Sequence, residues 1–145
     1  MPTATLQTRP PVPNSAIMLV ERARVGLLQA CDARSAAERY VAAHLSALRT
    51  AAAVLAVRGR PAMRGGPRSV WEVLPRVAPE LTEWAAFFAA TASRRAAVEA
   101  GRGEIISVRE ADDLLRDAAA FHDVIESLLG LPHEDVLPLA LPVCG

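Results

Sequence analysis

The side chains of this sequence that could do chemistry lie closest together in "RDAAAFH", residues 116–122. Arg116 carries the planar fork of donors that clamps a phosphate and stabilises charge developing on it. His122 exchanges a proton near neutral pH. Spacing speaks against a simple pair. Six positions along a helix leave Arg116 and His122 about 120° apart around the axis and about 9 Å apart along it. They close on one phosphate only if the helix is distorted or a second subunit completes the site. Ordinary ion pairs compete for the same groups: Asp112 and Asp113 sit four and three positions before Arg116, and Glu126 sits four after His122.

A second pair, Arg39 and His44 in "RYVAAH", is offset by about 140°. His44 lies on an apolar stripe, which makes it a core or interface histidine and turns Arg39 towards solvent. Metal chemistry has no motif to stand on. The three histidines, His44, His122 and His133, are scattered, and no HExxH is present. The knot His133-Glu134-Asp135 reads as a solvated turn. There is no phosphate-cradling glycine motif and no serine elbow. No metal or other cofactor is therefore expected.

Composition narrows the class. The chain has 145 residues, enough for one core, and its 16 basic and 16 acidic residues balance. Every basic residue is Arg, so arginine is the default cation here and its presence alone says little. With 29 Ala and six aromatics, intrinsic propensity is strongly helical. One stretch, "RGRPAMRGGPR", gathers Arg58, Arg60, Arg64 and Arg68 with no acid. It is a candidate nucleic-acid-gripping loop or a solvated linker. Cys31 and Cys144 lack metal-ligand spacing and read as unpaired thiols of a reducing compartment. With no apolar leader, the chain is expected to be cytoplasmic. The apolar run 40–57 carries Arg49 at its centre, which argues against a membrane span.

The elements that must position these residues are punctuated by caps. Ser35-x-x-Glu38, Ser69-x-x-Glu72 and Ser107-x-x-Glu110 each fit a capping box, Asn14 or Ser15 can cap a first helix, and Gly130 fits a helix end. Helices are expected near 15–31, 35–57, 79–100 and 107–129, with a short one near 70–76. Apolar residues recur at helical spacing: Tyr40, His44, Leu48 and Leu55 in the second; Leu81, Trp84, Phe88 and the flanking Phe87 in the third. In the last, Val108, Leu114, Leu115, Ala118, Phe121 and Ile125 form the inner face. The expected fold is all-α, an antiparallel four-helix bundle with one short extra helix. It would occupy 15–130, after a disordered leader (1–14) and before an apolar, proline-broken tail (131–145).

The segments "ERYVAAHLSALRTAAAVLA", "SVWEVLPRVAPELTEWAAFFAATASRRAAVEAG" and "SVREADDLLRDAAAFHDVI" together resemble the actinobacterial SAV_6107-like group of the HEPN superfamily, over about residues 17–129. The resemblance implies a dimeric helical bundle whose active members are metal-independent ribonucleases. Arg116 would bind the scissile phosphate, His122 would act as general acid or base, and Asp117 would orient one of them, with two subunits meeting across a two-fold axis. It equally implies a dimeric module that binds RNA or a protein partner and cuts nothing. The residues leave both readings open.

Overall fold

The computed structural model describes residues 11–61, 65–66, 68–101 and 105–133. The described residues are all-helical, with five α-helices and no strand. Helix α1 spans Asn14–Cys31, α2 Ala36–Arg58, α3 Val70–Val77, α4 Thr82–Glu99 and α5 Val108–Leu129, and a single 3₁₀ turn, Pro79–Leu81, leads into α4. The three serine caps hold: Ser35, Ser69 and Ser107 accept from the backbone N–H of Glu38, Glu72 and Glu110. Only Ser107 has the reciprocal bond, with its own N–H on Glu110 Oε1 at 3.2 Å. Glu38 turns instead to the Arg34 N–H. The first helix differs: Pro13 takes the N-cap position, and no side-chain cap forms.

Helix α2 is the hub, packing against α1, α3, α4 and α5. Its buried set, Arg39, Tyr40, Ala43, His44, Ser46, Ala47, Thr50, Ala51, Ala53, Val54 and Leu55, runs around more than one side of the helix. This accounts for its apolar character. By length and composition α2 could cross a membrane, but 56% of its most apolar window is buried inside the protein. Alanine lets α1 and α2 approach closely, and at Gly26 the contact is closer still. A Cβ there would stand 2.9 Å from Ser46 Oγ, whose hydroxyl donates to the Ala23 carbonyl.

Two aromatics planned for the interior need separating. Phe88 is fully buried, whereas Phe87 is 38% exposed. Val108, placed on the inner face of the last helix by its periodicity, is 64% exposed. It is the first residue of α5 and stays exposed although Ile106 before it and Ala111 after it are buried. Cys31 also departs from expectation: it is disulfide-bonded, and the described chain has no free cysteine. The other cysteine in the sequence is Cys144, outside the described residues. Spacing had suggested two free thiols; for Cys31 that reading fails, and its Cys144 half lies outside the described residues. The cytoplasmic expectation loses that support.

Candidate functional site

The site expected on the last helix forms as a helix without a shared face for its two key groups. Arg116 lies on the surface with Nη1 2.8 Å from Asp113 Oδ1. His122 is 0% exposed. Its Nε2 lies 3.0 Å from the Val20 carbonyl of α1. A carbonyl only accepts, so Nε2 carries the proton and the ring is anchored across the α1–α5 seam. Nδ1 of His122 has no hydrogen-bond partner and stands 3.7 Å from Glu126 Oε1. The imidazole faces inward and the guanidinium outward, as about 120° of helical rotation dictates.

Asp117 lines a cleft rather than a phosphate clamp. Two openings between α4 and α5 share Phe87 and Asp117. One, of about 320 Å³, is lined by Glu83, Trp84, Phe87 and Asp117. The other, of about 300 Å³, adds Tyr40, Thr91, Glu110, Asp113 and Leu114. Burial pushes the Asp117 carboxyl above the usual range, and the Asp113 charge adds to this against the opposing Arg116. Together they form a groove lined by Trp84 and Phe87 and by four acids, of which Glu110 is paired with Arg94 and Asp113 with Arg116.

Of the four loop arginines, Arg64 lies outside the described residues. Arg58 closes on Glu80, Nη2 to Oε2 2.8 Å, and donates to the Val77 carbonyl. Arg68 approaches Glu72 at 3.5 Å, and Arg60 is exposed. Arg58 and Arg68 thus already hold acids in place.

Two polar residues matter that sequence reasoning set aside or misplaced. Arg39 was expected in solvent. It is 8% exposed and ties three carbonyls at the end of α1 to α5: Nε donates to Ala30 O at 2.9 Å, Nη2 to Cys31 O at 3.0 Å and to Ala33 O at 3.5 Å, and Nη1 pairs with Asp112 at 2.7 Å. His44 is a core histidine, as its stripe predicted. Its Nε2 lies 3.0 Å from the Phe88 carbonyl, and its ring meets Trp71 and Phe88 edge-on. Burial holds its pKa below the ordinary value, against the Phe88 hydrogen bond.

Comparison with known proteins adds one match. The model of the SAV_6107-like HEPN family fits residues 30–126. That span begins at the end of α1 and takes in both the Arg39–Asp112 tie and the 116–122 segment. The chain matches no curated protein and no solved structure.

Proposed function

Since the chain belongs to the SAV_6107-like HEPN family, we propose that it is a HEPN-type interaction module that acts as a dimer, engages a protein partner and does not cut RNA. The observation that carries this reading is the burial of His122. A general acid or base must come within hydrogen-bond reach of a ribose hydroxyl, and a ring with no exposed surface, anchored on Val20, offers no such approach. Supporting it, the acids that line the cleft already hold two arginines, Asp113 engaging Arg116 and Glu110 engaging Arg94. The aromatic floor of that cleft, Trp84 and Phe87, suits a basic segment of a protein, through cation–π contact and carboxylate pairing. The dimer is assigned to the outer side of α1, where Ile17, Met18, Val25 and Leu28 are exposed and a second copy would remove them from water.

The test is cleavage of a mixed-sequence RNA by the wild-type chain and Arg116→Ala, each with EDTA and with added zinc. Neither protein should yield products ending in 2′,3′-cyclic phosphate. Cutting by the wild type that Arg116→Ala abolishes would overturn the reading and restore Arg116, Asp117 and His122 as a ribonuclease site.

A further inference from the structure

Beside His122, the end of α5 holds a cluster whose other members the proposed function does not use. His122, Asp123 and Glu126 bring one ligand atom each to within 4.8 Å of one another. The chain then reverses. Gly130 adopts the left-handed conformation at φ 70°, and the Leu131 N–H returns to the Glu126 carbonyl at 2.9 Å. This turn carries His133 back over the helix. Its Nδ1 lies 3.0 Å from Glu126 Oε1 and 3.6 Å from Asp123 Oδ1.

Two features of this cluster call for a cation. First, Glu126 is 4% exposed, and the groups its carboxylate meets are imidazoles: it accepts from His133 Nδ1 at 3.0 Å and faces His122 Nδ1 at 3.7 Å. A buried carboxylate is costly unless positive charge lies beside it. Second, His122 Nδ1 is buried without a hydrogen-bond partner. Nε2 is engaged by the Val20 carbonyl, so Nδ1 is the nitrogen that faces the Glu126 carboxylate, 3.7 Å away. A histidine whose far N–H is fixed on a backbone carbonyl, leaving the near nitrogen bare, has the orientation of a metal ligand. The separations of 3.0–3.7 Å at three of these pairs are what a cation about 2.1 Å from each ligand atom spans, and the His122, Asp123 and Glu126 ligand atoms, within 4.8 Å of one another, would draw in around it.

We propose that His122, Asp123, Glu126 and His133 bind a divalent transition-metal ion of the zinc class, which ties the segment after α5 to the α1–α5 seam. Mixed imidazole and carboxylate donors select such an ion over magnesium or calcium, which favour all-oxygen cages. No thiolate is needed, since Cys31 is in a disulfide. Entry is open from the side of Asp123 and His133, whose side chains are half exposed. A cleft of about 230 Å³ lined by Ile17, Val20, Glu21, Glu126, Leu131 and Pro132 adjoins the buried side.

The experiment is calorimetric titration of the untagged, EDTA-stripped full chain with zinc chloride, with cobalt(II) absorption as a second probe. The wild type should bind one ion per chain with a Kd on the order of micromolar or tighter, and zinc should raise its melting midpoint. His133→Ala and Asp123→Asn alter half-exposed side chains, so both variants should fold. Each should bind about tenfold more weakly or worse, since even groups that only orient a ligand are worth that much. The cobalt spectrum should lack a thiolate charge-transfer band. Absence of saturable binding to the wild type, or affinity unchanged in both variants, would overturn the site. A thiolate band would place the ion elsewhere and overturn it equally.

Discussion

Arg39→Ala should destabilise the protein by about 3–5 kcal/mol, the cost of breaking a buried ion pair by removing one partner. On the scale for a chain of this size that lowers the melting midpoint by on the order of 10 °C. The substitution removes all four donations at once. The Ala30, Cys31 and Ala33 carbonyls lose their cation at the end of α1, where the helix dipole favours positive charge. Asp112, whose side chain is only 18% exposed, loses its counter-charge. Arg39→Lys should recover only part of the loss, because one ammonium cannot reach carbonyls and carboxylate together. Chemical denaturation decides it. A midpoint for Arg39→Ala within about 1 kcal/mol of wild type would mean that the tie carries little stability.

The second large effect is expected at Phe88. Its ring sits 5.0 Å from Trp71, 5.2 Å from Phe121 and 6.1 Å from Trp84, each from a different stretch of chain or a neighbouring turn. It thus joins α3, α4 and α5 in one aromatic cluster under α2. Phe88→Ala should cost about 3–5 kcal/mol through lost transfer energy and the cavity left behind, with the aromatic pairs adding to it. Phe87→Ala, one residue away on the partly exposed side, should cost less than about 1 kcal/mol. Similar losses for the two would contradict the assignment of Phe88 to the centre of the core.

The contrast between adjacent phenylalanines marks what could be read from the sequence. Helix boundaries were legible because caps are local: a serine three residues before a glutamate fixes a start wherever the helix packs. His44 was legible too, since it lies within an apolar stripe. Arg39 was not. A wheel drawn for α2 measures direction from one stripe, but α2 is enclosed on several sides, and a position off the stripe still meets α1 and α5. Val108 failed for a different reason: it opens α5 between the buried Ile106 and Ala111, yet its own side chain is left exposed. The pair Arg116 and His122 was legible as a geometric problem, and the outward and inward faces found for them follow the rotation between them. Gly130 was legible as a helix end, but no spacing rule could supply that the turn there sets His133 beside Glu126, which depends on the chain returning through space.

The central claim is that His122 is an interior anchor and never meets a substrate. Long-range ¹H–¹⁵N correlation of the imidazoles in the metal-free protein measures this most directly. The account predicts a His122 ring held as the Nε2–H tautomer, its N–H protected from solvent exchange by the bond to Val20, and unmoved when a short RNA is added. A His122 N–H that exchanges freely, samples both tautomers and shifts on addition of RNA would contradict it.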